Sequence, residues 1–248
     1  MKTLFQFSSF LAIGILGVLV LTSLKYAPVE SKDLIGAWEY GTSTNKTVMI
    51  KTDKVFSVAT YDFTGKKFIS SYGGTWKVDG NNIVTKIEWN SLNKEQVSKE
   101  LSYEAQLLGG KLLNKTKNET WSRVDDGKPG VLMGAWIITG NFADDKASKR
   151  AAPFYPRRTM KILSGTRFHW IAYNIETKEF TNAGGGSYTT ENGKYTENIE
   201  FFTKTAESVG KSLSFQYSFV NGDWRHKGEK STGGPIDECW SRREILEK

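Results

Sequence analysis

The stretch TMKILSGTRFHWIAYNIETKEFTNAGGGSYTTENGKYTENIEFFT, residues 159–203, decides the fold. Short alternating runs are broken by Ser-Gly, Asn and Gly turn signals, which predicts about five short strands. The stretch is also a second copy. Shifted by 112 positions, Thr47–Leu112 lies on Thr159–Trp224 without a gap. Phe56 then meets Phe168, Tyr61 meets Tyr173, Phe68 meets Phe180, and Gly73-Gly74 meets Gly185-Gly186. Ile87-Glu88 meets Ile199-Glu200, and Lys99, Leu101 and Ser102 meet Lys211, Leu213 and Ser214. Gly36-Ala37-Trp38 recurs as Gly134-Ala135-Trp136, and Trp121-Ser122-Arg123 as Trp240-Ser241-Arg242. Identities held in register over that distance mark a duplicated unit.

The 248 residues therefore divide into two units, 31–126 and 127–248, behind an N-terminal segment, 1–30. Each unit is long enough for a modest core of its own. Aromatic residues make up 13% of the chain, and long Leu/Ala/Glu runs are missing after residue 30, a composition of many short strands. Consecutive short strands joined by hairpins most simply close into an antiparallel up-and-down β-barrel, which leaves no free edge. Eight strands give a lumen wide enough for side chains or one small ligand. The expected class is all-β, two barrels in tandem.

Residues 1–27 begin with Lys2 and carry an apolar run from Phe10 to Leu21, followed by Thr22-Ser23 and Lys25, the layout of a signal peptide. Cleavage near Ser23 or Ala27 would leave a periplasmic or secreted protein with no stable membrane insertion, and an uncleaved anchor is the alternative. The formal charge is +7, and without the first 27 residues it is +5. Basic clusters interrupted by Glu and Asp fit a small anionic ligand or an acidic glycan. They form no contiguous stripe for nucleic acid. A lone cysteine, Cys239, excludes an internal disulfide, and no Cys/His spacing points to a metal. No cofactor is expected.

A Gly-x-Trp opening the first strand and a Trp-x-Arg closing the last, with about eight antiparallel strands between, resemble the lipocalin (calycin) superfamily. In that family the Trp plugs one barrel end and the Arg stacks across it. The resemblance implies Trp38 with Arg123 and Trp136 with Arg242, and covers nearly all of 33–248. The units are shorter than ordinary lipocalins. A closer likeness is to exported tandem lipocalin-like proteins of marine polysaccharide-degrading Bacteroidota, one type of which dehydrates unsaturated uronic-acid-ended oligosaccharides from ulvan. That likeness implies a metal-independent hydro-lyase.

Duplication permits a subtraction: what both copies share is candidate scaffold, and what one copy adds is candidate function. Where unit one has Val55, Ser57 and Ala59, unit two has Arg167, His169 and Ile171, with Tyr173 on the same strand face. If that face looks inward it is a catalytic face; if it looks outward, Phe168 and Trp170 fill the lumen. Tyr195 and Glu197 are further gains of unit two, and Tyr188 replaces Trp76. Gly184-Gly185-Gly186 reads as a bulge or corner. His169 or Tyr173 would move the proton, with Glu197 or Tyr188 as partner. Arg158 and Arg167 would hold a carboxylate, and Trp170, Tyr195, Glu200 and Trp224 would complete the substrate wall. Glu88 and Glu200 also fit a structural reading, each holding a buried Arg or Lys. His226, in the inserted loop beside Trp224 and Arg225, reads as rim or plain surface. Unit two also carries 14 extra residues within Gly140–Arg158, which include Phe154 and Tyr155 and suit a lid, and seven between Trp224 and Trp240. Two alternatives to catalysis stand beside it: a non-catalytic glycan-binding or carrier protein, and an envelope protein with packed lumens.

Overall fold

A computed structural model of the chain describes residues 29–151, 156–230 and 232–247. The signal-peptide segment and the Phe154-Tyr155 pair lie outside these residues. The first unit contains β1 (Gly36–Thr42), β2 (Asn45–Lys51), β3 (Val55–Asp62), β4 (Lys67–Asp79), β5 (Asn82–Asn90), β6 (Glu100–Leu108), β7 (Lys111–Asn114) and β8 (Glu119–Asp125), after a short α1 (Ser31–Leu34). The second contains β9 (Gly134–Ala143), β10 (Lys146–Lys149), β11 (Arg157–Leu163), β12 (Arg167–Asn174), β13 (Glu179–Glu191), β14 (Lys194–Phe202), β15 (Ser212–Val220), β16 (Asp223–Glu229) and β17 (Pro235–Arg242), then α2 (Arg243–Leu246).

The protein is all-β, two closed eight-stranded antiparallel barrels in tandem. Each is a meander in which sequence neighbours pair, and β1–β8 and β9–β17 close the two rings. The ninth strand of the second unit, β10, hangs on the outer half of β9. The insertion Gly140–Arg158, expected as a lid, thus begins as a hairpin that extends β9. The paired glycines mark the same irregularity in both copies, with register shifts at Gly73/Gly74 and Gly185/Gly186. A Cβ on Gly74 would lie 2.0 Å from Lys86 O, and one on Gly186 2.0 Å from Asn198 O, so only glycine permits this approach of β4 to β5 and of β13 to β14.

The barrel ends repeat one device. Trp38 Nε1 donates to Leu34 O and Trp136 Nε1 to Leu132 O, at 2.9 and 2.8 Å. The guanidinium of Arg123 lies 4.0 Å from the Trp38 ring centre, and that of Arg242 lies 4.0 Å from Trp136. Each cation covers an indole face that seals the lumen.

The two barrels pack on each other about an approximate twofold relation. Phe68 stacks on its own counterpart Phe180, centroids 5.7 Å apart and nearly parallel. Tyr61 stacks on Phe201 at 4.8 Å, and the exchanged pair, Tyr173 and Trp89, sits at 5.0 Å. Ile50, Val55 and Trp89 of the first unit share one apolar cluster with Ile162, Ile171 and Tyr173 of the second.

Candidate functional site

The first lumen is filled by its own side chains, among them Trp38, Met49, Phe56, Val58, Trp76 and Ile87. The second keeps a cavity of about 420 Å3, lined by Phe168, Trp170, Phe202, Phe215 and Trp240 with Lys161, Glu197, His226 and Glu238. The exposed Lys204 and Lys230 stand at its rim. Alternation places these groups inside: on β12, Phe168 and Trp170 face in, and on β14, Tyr195, Glu197 and Ile199 do. The lengthened β16–β17 hairpin supplies Lys230, Thr232 and Ile236 to the wall.

Two polar groups stand in this aromatic chamber. In the first, Lys161 Nζ donates to Glu197 Oε1 at 2.6 Å, and Tyr195 Oη donates to the same oxygen at 2.8 Å. Lys161 and Glu197 are both buried, so each charge depends on the other. Burial and the Glu197 charge hold the Tyr195 phenol well above its ordinary value. In the second, His226 Nδ1 lies 3.1 Å from Glu238 Oε2, which also accepts from Trp240 Nε1 at 3.0 Å. Burial, and then the Lys161 charge, lower the pKa of His226, so the ring is neutral near pH 7. Burial raises Glu238, but the His226 hydrogen bond, with the Lys161 charge and the Trp240 hydrogen bond, outweighs this and holds the carboxyl below its ordinary value. A neutral imidazole beside a carboxylate carries its proton on Nδ1, which leaves Nε2 as a lone-pair acceptor. His226 Nε2 is buried and has no hydrogen-bond partner.

The first barrel shows what is new here. Register aligns Asn114 with His226 and Glu119 with Glu238, and Asn114 Nδ2 donates to Glu119 at 3.1 Å. Met49, Ile83 and Thr85 occupy the places of Lys161, Tyr195 and Glu197. The second barrel therefore keeps a shared acid, exchanges an amide for an imidazole, and adds Lys, Tyr and Glu.

Of the residues expected at the site, Glu197, Tyr195, Trp170 and Trp224 are in the lumen. Tyr188 is there too, but its hydroxyl is committed to Ser164 O at 2.6 Å, as Trp76 Nε1 is to Thr52 O at 2.9 Å. Its role is to fasten a strand. The expected reaction face on Arg167, His169 and Tyr173 is corrected: it points away from the lumen and packs against the first barrel. Tyr173 Oη donates to Glu88 Oε2 at 2.7 Å. His169 Nε2 lies 3.4 Å from Ser71 Oγ, and burial brings the imidazole down to about 3, so it stays unprotonated. Arg167 pairs with Glu200, which also takes Tyr61 Oη at 2.5 Å. Arg158, expected to hold a substrate carboxylate, is 1% exposed and pairs with Glu88 and Glu247. Glu200 is likewise an ion-pair residue of the barrel interface. His226, read as rim or surface, is 2% exposed inside the lumen.

Lys161 and Glu238 were not singled out by the sequence. Lys161 lies in TMKIL, where a lysine reads as the solvent face of a strand. The signal that finds it is its alignment with Met49, a core residue of the first lumen. No protein-family model matches the chain, and a search of curated proteins finds no match.

Proposed function

We propose that the chain is an exported lipocalin-like protein of the tandem type, and that it acts as a hydro-lyase on a small anionic sugar chain held in the second lumen. The observation that carries this reading is the buried His226 Nε2, without a partner and backed by Glu238. A base placed this way removes a proton next to a carboxylate, and Glu238 stabilises the imidazolium that forms. The electrons of that C–H bond form a C=C bond as the neighbouring hydroxyl leaves, and a proton supplied to that hydroxyl makes it water. Tyr195 and Lys161, clustered on Glu197, are the donors on hand. Lys204 and Lys230 at the rim suit the substrate carboxylate, and Phe168, Trp170 and Phe202 offer rings to sugar faces.

The test is to incubate the protein with unsaturated uronic-acid-ended oligosaccharides and follow mass. Loss of one water that disappears with His226→Asn supports the reading. A second reading, a non-catalytic binding protein, is favoured by the closed Lys161–Glu197 pair, which leaves that ammonium already bonded. Tight calorimetric binding with unchanged ligand mass would select it.

A further inference from the structure

The two flanks of the barrel interface are built alike and finished differently. On one flank, Glu88 takes Tyr173, Arg158 and Arg243. Arg243 belongs to α2, and this terminal turn fills the flank. Glu247 pairs with Arg158 at 2.7 Å, and Leu246 packs on the cluster that holds Ile137 and Tyr173. On the other flank the counterpart Glu200 takes Tyr61 and Lys46, and its third partner is Arg167. Arg167 reaches across from β12 and stands in for Arg243, so the carboxylate is satisfied with no terminal turn over it.

Nor, among the described residues, does the chain return there. After β8, Asp125 is held by Ser164 Oγ at 2.8 Å and by the Gly165 and Thr166 amides at 3.0 Å, which directs the connection toward β9. What remains between β1, β8 and β14 is an open groove of about 720 Å3.

Its walls carry the hydroxyls of Ser43, Thr120 and Ser122, which both donate and accept, and the Ser212–Asn198 pair, in which Ser212 Oγ donates to Asn198 Oδ1 at 2.7 Å. The charged side chains that line the groove, Glu39, Glu200, Lys46 and Lys211, sum to zero, and Arg167 behind them pairs with both carboxylates. Glu39 Oε2 is buried, forms ion pairs with Lys46 at 3.0 Å and Arg167 at 3.6 Å, and accepts no well-directed hydrogen bond. Phe63, 43% exposed, offers an aromatic face at the groove. Dense two-way hydrogen bonding, zero net charge and one exposed ring match a polyhydroxylated ligand with apolar C–H faces. We propose that this groove binds a neutral oligosaccharide. The site lies on the outer faces of both barrels and stands independently of any chemistry in the second lumen.

The test is a nuclear magnetic resonance titration of the full chain, isotope-labelled, with maltohexaose, cellohexaose and laminarihexaose. Saturable shifts at the Ser122, Asn198 and Ser212 amides are expected with at least one sugar. Ser122→Trp, and independently Ser212→Trp on the opposite wall, should weaken binding about tenfold or more, which is about 1.4 kcal/mol, with the remaining spectrum unchanged. No shift with any sugar at about 10 mM, weaker than any useful affinity, overturns the proposal. So do shifts confined to lumen residues, or binding untouched by both tryptophans. A peptide of residues 240–248, which includes the α2 turn that fills the opposite flank, is the control: binding of the peptide but of no sugar assigns the groove to a polypeptide and overturns the proposal.

Discussion

Tyr173 Oη of the second barrel lies 2.7 Å from Glu88 Oε2 of the first, and the same bond recurs with the barrels exchanged, as Tyr61 Oη to Glu200 Oε2 at 2.5 Å. Both are charge-assisted bonds in a largely buried interface. Tyr173→Phe should therefore cost about 1.5–3 kcal/mol of stability, and Tyr61→Phe a similar amount. Urea unfolding of the two variants checks this. A change within error for both would mean that neither phenol helps to hold the barrels together.

Glu88 is also the shared acceptor of Arg158 and Arg243. Burial raises its pKa, but the Arg243 charge and hydrogen bond, with Arg158 and Tyr173, outweigh burial and hold the carboxyl below its ordinary 4.5. A depressed folded-state pKa contributes stability above the unfolded value that is lost as pH falls through the folded one. Glu88→Gln should cost about 1.5–3 kcal/mol at pH 7, because Arg158 and Arg243 lose one of their two carboxylates and keep Glu247. It should also unfold less steeply below pH 4.5 than the parent. Thermal unfolding at pH 7, 5 and 4 measures both effects, and an unchanged acid slope would remove Glu88 as the group responsible.

Much of this architecture is legible in the sequence, since the repeat, the Gly-x-Trp and Trp-x-Arg pairs and the doubled glycines all carry period and register. The facing of β12 is not. Alternation sorts Arg167, His169 and Tyr173 from Phe168 and Trp170, but normally a wet face and a dry face tell which side looks inward. Here the outer face is dry as well, because the first barrel covers it: His169 and Tyr173 are 3% and 0% exposed. The same cover explains why Arg158, expected on a substrate carboxylate, is buried. His226 was missed for another reason. The ungapped comparison ends at Trp224, two residues short of the Asn114–His226 match that separates an amide from a base.

Lys51 offers a prediction in the first lumen. It is fully buried, its Nζ has no hydrogen-bond partner, and it lies 4.0 Å from the Trp76 ring centre. Burial brings the amine down to about 7 from 10.5. Between those values the unfolded chain holds a proton that the folded chain lacks, so stability should rise with pH from about 7 to 10.5 and be level below. Lys51→Met, close in volume and free of the desolvation cost, should be more stable than the parent at pH 7 and lack the rise. Urea midpoints at pH 6, 8 and 10 decide it, and a parent curve level from 8 to 10 would mean that the amine stays charged.

His226→Asn tests the second lumen most directly, because it installs the side chain that the first barrel already uses. Asn114 bonds Glu119 at 3.1 Å, so an amide at position 226 should keep the bond to Glu238 and the fold with it. What it removes is the lone pair on Nε2. If that lone pair takes the substrate proton, turnover should fall by about 10²–10⁴-fold while the melting temperature changes little. The pH profile gives a readout that packing alone would not move. Burial and Lys161 lower the imidazole pKa, so the basic form persists below 6.5, and the acid limb of kcat/KM should lie below that value. Removing the nearby charge with Lys161→Met would shift that limb upward. Full-rate turnover by His226→Asn, or an acid limb above 6.5, would take the proton transfer away from this histidine.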